Sequence, residues 1–366
     1  PILLGARQNM YIRTIIFLLL AAVTLLTPGP TLAAEAEAAD SLVYVIPIEG
    51  PIEPALLYVI RRGVAEANDQ GADAIVFRMD TPGGTLDAAR EIVNIIENID
   101  VPTYTFVEEE AFSAGAIIAL ATKHIYMAPG SVIGDAMPIM MSPFSGPQEM
   151  PENLQEKMVS AVSALIRSAA EQGGHDKELA EAMVRRENEY TIGEDVIAKE
   201  GELLTLTNLE AERRVGEEQR PLLSAGTVKD VPALLREIGF EGAVQRELEV
   251  TGVERLGRMI QALSIVFLGA GLLGIYIEIK TPGFGVPGLI GLVCLTIWFY
   301  GHHVAGLAGM EELILIVLGV ILLLVEVFVI PGFGIAGIAG IFLVVLGLLL
   351  AMVEHYPGGP VLPTWE

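Results

Sequence analysis

The stretch "AIVFRMDTPGGTLDAAREIV" (74–93) decides the fold class. It opens with a run of apolar and β-branched residues that is typical of a buried strand. The residues at 81–84 then form a Pro-Gly turn, and Leu86, Ala89 and Val93 recur at helical spacing. A buried strand, a tight turn and an amphipathic helix together are the repeating unit of an α/β domain.

The same rhythm continues on both sides of this stretch. "LVYVIPI" (42–48) and "PTYTFV" (102–107) are further strand-like segments. Apolar residues at helical spacing lie between the first of these segments and the strand that begins at residue 74. We therefore predict an α/β domain with a mostly parallel sheet over 41–206. Residues 207–258 are charge-rich and less periodic, and they predict a helical tail and a solvated connector.

Composition predicts a membrane domain at the other end of the chain. Hydrophobic residues make up 52% of the 366 residues, and the mean hydropathy is +0.54. Each of four apolar stretches has about the 20 residues that a helix needs to cross the hydrocarbon core. These stretches are 259–279, 284–300, 311–330 and 334–353. We expect about four spans over 259–353, followed by a short tail at 354–366.

A weak repeat runs through the apolar region. "EIKTPGFGVPGLIG" (278–291) and "EVFVIPGFGIAGIAG" (326–340) share a Glu, a Pro-Gly-Phe-Gly turn and a glycine-spaced helix start. This predicts two similar hairpins in which glycines such as Gly291 and Gly340 allow close helix approach. Glu278 and Glu326 would either make a polar contact between the hairpins or lie at the interface beside the turn.

The N-terminal region has the features of a secretory signal. From Met10 onward, a basic Arg13 precedes an apolar stretch (14–26), and small residues follow near Ala33. We predict a signal peptide at 1–34, with an uncleaved anchor as the alternative reading. Either reading exports the α/β domain, so we expect a multi-pass protein of the bacterial inner membrane with this domain on the periplasmic side.

Charge and cysteine content exclude several classes of function. The formal net charge is −24, with 46 acidic and 22 basic residues, and no basic stripe offers a nucleic-acid surface. A single cysteine, Cys294, excludes a disulfide framework and a cysteine-based zinc site. No constellation of residues predicts a metal or a cofactor.

Ser113 is the candidate nucleophile. It lies in "AFSAGAIIAL" (111–120), where small residues also fit simple close packing. Ala114 would begin a helix, and a helix N-terminus presents free N–H groups. Gly83 and Gly84 of the turn can expose further N–H donors that hold a developing oxyanion.

A serine hydroxyl needs a base. Neither His124 nor His175 is a convincing partner, and Lys123 borders a strand. Lys157 lies in a predicted helix (151–174), at the rim of a stripe expected to be buried. That stripe consists of Leu154, Met158, Leu165 and Ala169. Spacing leaves two readings of Lys157 open, a desolvated lysine that acts as base and a snorkelling surface lysine.

Four segments in order resemble a known family. They are "MDTPGG" (79–84), "AFSAGAIIALAT" (111–122), "IYMAPGSVIGDAMPI" (125–139) and the helix that carries Lys157. Together they resemble the NfeD family of membrane-bound serine proteases, within the ClpP/crotonase-like fold group. The resemblance covers the chain from about residue 42 to the last apolar stretch.

The resemblance implies a Ser-Lys dyad, with Ser113 as nucleophile and Lys157 as general base. It implies backbone oxyanion donors at Gly83, Gly84 and Ala114. Pro138 stands where the histidine of ClpP would be expected, which favours the lysine dyad. The implied activity is a serine endopeptidase without a cofactor that cleaves apolar stretches of membrane-associated proteins.

The resemblance also implies a stomatin-like membrane protein as partner or substrate, and we expect a homo-oligomer. Long members of the family carry a small β-barrel after the last span, which we do not expect in this chain. Two other functions stay open. The first is a non-catalytic membrane scaffold that associates with a stomatin-like protein. The second is a crotonase-type acyl-CoA enzyme, which the exported setting disfavours.

Overall fold

The structure is a computed structural model that describes residues 41–142, 146–148, 150–187, 189–280, 286–304, 310–328 and 334–350. The predicted signal peptide (1–34) and the tail (354–366) lie outside these residues. The chain forms a mixed α/β domain followed by a helical region. This confirms the predicted order of the two parts.

The α/β domain contains fourteen described strands and seven described helices. The strands are β1 (Leu42–Glu49), β2 (Ala74–Thr81), β3 (Thr103–Phe112), β4 (His124–Met127), β5 (Val132–Gly134), β6 (Met140–Ser142), β7 (Gly146–Gln148), β8 (Tyr190–Ile192), β9 (Asp195–Ala198), β10 (Thr205–Thr207), β11 (Arg214–Val215), β12 (Arg220–Pro221), β13 (Gly226–Thr227) and β14 (Val244–Glu247). The helices are α1 (Pro54–Asp69), α2 (Leu86–Glu97), α3 (Ala114–Ala121), α4 (Glu152–Gly173), α5 (Lys177–Ala182), α6 (Asn208–Ala211) and α7 (Val231–Glu237).

The main sheet is parallel except at one edge. Its order is β10-β5-β3-β2-β1-β14, and among the described strands of this sheet only the β10–β5 pair is antiparallel. β3 is long enough to hold two neighbours on one side. Its first half pairs with β4 and its second half pairs with β5. The carboxyl ends of β2 and β3 therefore lie side by side, as is usual where parallel α/β sheets bind ligands.

Both faces of the sheet are covered. Tyr44, Ile46 and Ile48 of β1 face the larger core, which the helices α1 to α4 complete. Val43 and Val45 face a smaller core that includes residues of α7. A strand buried on both faces reads as a continuous apolar run rather than an alternating one, which explains the "LVYVIPI" sequence.

The domain does not end at residue 206, where the sequence analysis placed its boundary. β13 pairs with β4 and β14 pairs with β1, so both belong to the main sheet. α7 covers the second face of that sheet. Residues 207–247 are thus part of the α/β domain and not a connector. The charged side chains of this region suggested a connector. They are compatible with strands, because edge strands pair through their backbones and can leave such side chains exposed.

Five helices follow the α/β domain in the described residues. They are α8 (Gly252–Ala262), α9 (Ser264–Lys280), α10 (Val286–Val304), α11 (Met310–Phe328) and α12 (Ile335–Leu350). Among the described residues, no single helix has both the length and the apolar character of a membrane span. One bent pair meets both criteria together, Glu254–Ala262 with Ser264–Glu278, and its two parts meet at 68°.

The repeat seen in the sequence forms two helix pairs, α9 with α10 and α11 with α12. In each pair a glycine allows close approach. A Cβ on Gly291 would lie 2.8 Å from the Gly271 carbonyl oxygen, and a Cβ on Gly340 would lie 2.8 Å from the Gly319 carbonyl oxygen. The prediction of glycine-mediated packing is confirmed at these two positions.

The two repeat glutamates accept hydrogen bonds from the next helix in the chain. The Gly288 N–H donates to the Glu278 carboxylate at 3.0 Å. The Gly337 N–H donates to the Glu326 carboxylate at 3.0 Å, and the Gly334 N–H donates to the same group. The first backbone N–H groups of a helix have no partner within the helix. Each carboxylate therefore caps the next described helix in the chain.

Candidate active site

Ser113 lies at a sharp and strained turn between β3 and α3. Its backbone has φ 54° and ψ −117°, a conformation that non-glycine residues rarely adopt. Such a residue costs on the order of 1–3 kcal/mol and persists only where its surroundings fix it. Its N–H donates to the Gly134 carbonyl at 3.0 Å, and its own carbonyl accepts from the Ile117 N–H at 3.3 Å. A strained strand-to-helix turn of this kind presents the hydroxyl of a nucleophilic serine in α/β-hydrolases.

The Pro-Gly-Gly turn after β2 packs directly against Ser113. Gly83 has φ +102°, and a Cβ there would lie 2.5 Å from the Ser113 Cβ. Position 83 therefore requires glycine both for its backbone angle and for space. The Thr81 hydroxyl holds the turn, because it donates to the Gly50 carbonyl at 2.7 Å and accepts from the Gly83 N–H at 3.1 Å.

The three backbone groups expected to bind an oxyanion have different surroundings. Ala114 is the first residue of α3, so its N–H has no acceptor within that helix. The Gly84 N–H has no hydrogen-bond acceptor among the described residues. The Gly83 N–H is engaged by Thr81. Among the three groups, those without an acceptor in the described residues are the N–H groups of Gly84 and Ala114.

A cleft of about 680 Å³ opens beside Ser113. Gly83, Gly84, Ser113 and Ala114 all line it, so the structure brings four of the five predicted site residues together. Much of its remaining wall is apolar. This wall includes Phe112, Ile117, Met137, Ile139, Met158 and Val162. The cleft suits an extended apolar segment with its polar backbone near Ser113.

Lys157 does not line this cleft, although its neighbour Met158 does. The Lys157 side chain is exposed. Of the two readings of Lys157, the exposed side chain fits the surface lysine and not the desolvated base in this conformation. The buried stripe of α4 begins only at Val159, and Leu154 is 40% exposed. The predicted stripe is thus wrong at Leu154, because the start of α4 extends beyond the core, whereas Ala169 is buried as predicted.

The other bases considered from the sequence also lie outside the cleft lining. The His175 Nε2–H donates to the Thr122 carbonyl at 2.8 Å. His124 stacks on Tyr104 with ring centroids 5.2 Å apart. The Lys123 ammonium donates to the Gln172 carbonyl. Thr122 follows the last residue of α3, Tyr104 lies at the start of β3 and Gln172 lies near the end of α4. These contacts hold the three side chains away from Ser113.

Sequence reasoning missed Asp135 and Thr81. Asp135 follows β5, has a left-handed φ of 44° and lines the cleft. Its carboxylate is the acidic group nearest the site among the described lining residues, and "VIGD" (132–135) gave no signal for it. Thr81 is fully buried, and a Cβ on Gly115 would lie 2.5 Å from its methyl group. Thr81 thus joins the glycine turn to the helix that carries Ser113.

Burial of His175 should make stability depend on pH. Desolvation lowers the pKa of the His175 imidazole below its usual value. Below about pH 6.5 the unfolded chain therefore binds a proton that the folded chain resists, so the free energy of unfolding falls as the pH falls. We expect His175→Gln to reduce this acid-side loss. Thermal midpoints of the two proteins, measured in detergent at about pH 7 and about pH 5.5, test this. An equal loss in the variant would contradict it.

Two domain models match the chain. The NfeD1b N-terminal domain matches residues 42–247, and the NfeD integral membrane domain matches residues 262–364. The first match alone covers more than half of the chain and ends at the last residue of β14. The chain belongs to the NfeD family.

Two curated relatives in this family extend over most of the chain. Membrane protein NfeD1b of Bacillus subtilis is 35% identical over 306 residues, which are 83% of this chain and 65% of the relative. Membrane-bound protease PH1510 of Pyrococcus horikoshii is 27% identical over 290 residues, which are 74% of this chain and 61% of the relative. The chain thus spans less than two thirds of either relative. Its match to the NfeD integral membrane domain supports a membrane location for the chain.

Solved structures of a 1510-N membrane-bound stomatin-specific protease are also similar to this NfeD chain. A serine-to-alanine mutant is 26% identical, with a TM-score of 0.47, and the match covers 58% of this chain and 100% of that one. A lysine-to-alanine mutant in complex with a substrate peptide is 26% identical, with a TM-score of 0.49, and the match covers 61% and 98%.

The close approach of Gly83 to Ser113 predicts that a side chain at position 83 impairs the chemistry at Ser113 in this NfeD protein. Gly83→Ala should lower the rate of peptide cleavage by about 10²-fold, because the new methyl group displaces the nucleophile from the backbone donors. Gly130→Ala is the matched control, since Gly130 also has a left-handed φ, +86°, but its Cβ would meet nothing within 4 Å. Both variants carry about 1–2 kcal/mol of backbone strain. Equal rates of peptide cleavage by the two variants would contradict the placement of Gly83 beside the nucleophile.

Proposed function

We propose that this NfeD protein is a membrane-anchored serine endopeptidase that cleaves apolar stretches of membrane-associated proteins. The observation that carries the proposal is the strained Ser113, which packs against Gly83 at the mouth of an apolar cleft. A non-glycine residue held at φ 54° between a strand and a helix is strained, and the presentation of a nucleophile accounts for that strain. The name of the relative PH1510, a membrane-bound protease, supports the same class of reaction.

In the proposed mechanism, the Ser113 hydroxyl attacks the scissile carbonyl while the neutral Lys157 amine takes its proton. The N–H groups of Gly84 and Ala114 stabilise the oxyanion, and the Gly83 N–H joins them when it exchanges the Thr81 hydroxyl for the substrate oxygen. Lys157 then returns its proton to the leaving amine. Water attacks the acyl-serine in a second step of the same kind and releases the acid.

Lys157 must approach Ser113 for this chemistry. It lies in the second turn of α4, and the buried residues of this helix begin only at Val159, so the core does not hold the part that carries Lys157. We propose that a bound peptide draws this turn over the cleft, where Met158 and Val162 already form part of the wall. Apo geometry of catalytic hydrogen bonds is often looser than the geometry of the substrate complex.

The fold group, membrane topology and partners of the chain are proposed from the sequence and the family resemblance. We propose that the α/β domain has the ClpP/crotonase-like fold and lies on the periplasmic side of a bacterial inner membrane. We propose about four spans within 259–353 and a signal peptide at 1–34. We propose a homo-oligomer, and a stomatin-like membrane protein as partner or substrate, as the resemblance implies.

Cleavage by the purified chain in lipid vesicles tests the proposed function. The substrate is a synthetic peptide with an apolar stretch of β-branched and aromatic residues, and the control is a peptide of equal length in which polar residues replace them. We expect cleavage within the apolar stretch and none in the control, measured by mass spectrometry. No cleavage of either peptide, or cleavage that Ser113→Ala retains, would overturn the proposal.

A non-catalytic membrane scaffold that binds a stomatin-like protein is the second candidate. The exposure of Lys157 in the described structure favours it, because a base must reach its nucleophile. Under this alternative, Ser113→Ala would support normal association with a stomatin-like protein in co-purification, and the wild-type chain would cleave no peptide. Cleavage that depends on Ser113 excludes the scaffold as the sole function.

A further inference from the structure

The helix α8, which links the α/β domain to the membrane domain, is tied to the α/β domain by ion pairs. Its Glu254 accepts two hydrogen bonds from the Arg62 guanidinium, at 2.9 and 3.0 Å. Its Arg258 pairs with Glu53 at 2.8 Å and donates to the Glu49 carbonyl at 3.0 Å. Thr251 and Glu254 also form a capping box that fixes the start of α8. One side of α8 is therefore held by polar contacts.

Another side of α8 is apolar and uncovered. Leu256 is 41% exposed, Met259 is 58% exposed, and Leu263, just after the helix, is 45% exposed. Their spacing of three and four residues puts them in one stripe. This exposed stripe (Leu256, Met259, Leu263) lies apart from the residues that α8 buries, such as Glu254 and Ile260.

The exposed stripe is continuous with the membrane domain. The match to the integral membrane domain begins at residue 262, the last residue of α8. α8 also contacts α10, where a Cβ on Gly301 would lie 2.3 Å from Ile260. The Trp298 indole N–H of α10 donates to the Ser264 hydroxyl at 2.8 Å, just past the bend. The Trp298 indole is buried among the helices, so this hydrogen bond ties the bend after α8 to the core of the membrane domain.

We propose that α8 lies in the plane of the membrane interface, with the exposed stripe buried in lipid and its opposite, polar side bound to the α/β domain. A helix that meets a spanning helix at 68° cannot follow the bilayer normal with it. The ion pairs of Glu254 and Arg258 would be costly in hydrocarbon, and at the interface they stay near water. An amphipathic helix with one apolar side is the element that occupies this position.

This arrangement fixes the cleft relative to the bilayer. The loop that Arg258 holds, residues 49–53, also holds the glycine turn of the site. The Gly50 carbonyl accepts from the Thr81 hydroxyl, and the Ile52 N–H donates to the Gly83 carbonyl at 2.9 Å. The turn beside Ser113 is thus joined through one loop to a helix anchored in lipid. The inference rests on the membrane domain and does not depend on peptide cleavage.

Depth-dependent fluorescence quenching tests the position of α8. Cys294 is the single cysteine of the chain, so Cys294→Ser gives a background for labelling. Met259→Cys, Ser168→Cys and Leu272→Cys each then carry an environment-sensitive fluorophore in the full chain, reconstituted in vesicles of phosphatidylcholine and phosphatidylglycerol. Ser168, an exposed residue of α4 in the α/β domain, is the reference for a probe in water. Quenchers are aqueous iodide and lipids with a nitroxide either near the headgroup or near the bilayer centre. Leu256→Cys replaces Met259→Cys if the latter does not assemble.

We expect the Met259 probe to be quenched more by the shallow nitroxide than by the deep one, and about threefold less by iodide than the Ser168 probe. The Leu272 probe, in α9, should favour the deep nitroxide. Iodide quenching at Met259 equal to that at Ser168 would overturn the proposal, because the stripe would face water. Stronger quenching by the deep nitroxide would place α8 across the bilayer and would also overturn it. Protection of the Met259 probe from all three quenchers would show that the stripe contacts protein, such as a second copy of the chain, and not lipid. That result would also overturn the proposal.

Discussion

Ser113→Ala should lower the rate of apolar-peptide cleavage by about 10⁴-fold, because no other group in the cleft replaces a serine nucleophile. The residual rate should come from the backbone donors and the binding of the peptide alone. Folding should survive, since the change removes one hydroxyl from a half-buried side chain that makes its structural contacts through its backbone. The measurement is kcat/KM with the peptide substrate in vesicles, beside the thermal midpoint of each protein.

The variant also tests how strain is distributed in the turn. Alanine tolerates φ 54° no better than serine does, so the strain at residue 113 should persist and the thermal midpoint should change little. Ser168→Ala is the control, because Ser168 is an exposed serine of α4 outside the cleft lining. It should cleave at the wild-type rate. Wild-type cleavage by Ser113→Ala would remove Ser113 from the mechanism.

Replacing Lys157 should have the second largest effect. We expect Lys157→Ala to lower kcat/KM by about 10³-fold, since general-base catalysis contributes roughly 10²–10⁴-fold. Lys157→Arg should be as inactive as Lys157→Ala, because a guanidinium keeps the positive charge but does not give up its proton in proteins. The comparison separates a base from a residue that only supplies charge.

Structure offers a matched control for this experiment. Lys177→Ala removes an exposed lysine of α5, which pairs with Glu171 at 3.2 Å and does not line the cleft. It should retain wild-type cleavage and stability. Activity in Lys157→Arg close to that of the wild type would show that Lys157 acts through its charge. Activity in Lys157→Ala close to the wild type would identify another base, and Asp135 of the cleft lining would be the next residue to test.

The parts of the fold that depend on local pattern could be predicted from the sequence. The apolar runs at 42–48 and 74–80 gave the strands β1 and β2, and the Pro-Gly-Gly turn fell where the sequence placed it. The small residues around Ser113 indicated close packing, and the Cβ test at Gly83 shows which contact requires it. Close packing and nucleophilic chemistry, the two readings of Ser113 in the sequence, are therefore compatible.

Other features depend on tertiary structure and gave no usable signal. β13 and β14 are short and carry charged or exposed residues, so only their pairing with β4 and β1 reveals them. The exposure of Leu154 follows from where the core ends along α4, which spacing does not encode. The bend after α8 divides an apolar run that spacing read as one span. The positive φ of Ser113 results from the sheet and helix that meet there, since serine has no preference for it.

Trapping the acyl-enzyme tests the central claim most directly. The wild-type chain in vesicles is mixed with an apolar peptide p-nitrophenyl ester, quenched in acid, digested and analysed by mass spectrometry. The account predicts the mass of the acyl group on the peptide that contains Ser113, its absence in Ser113→Ala and its strong reduction in Lys157→Ala. Ester hydrolysis by the wild type without acylation of Ser113, or at an equal rate in Ser113→Ala, would contradict it.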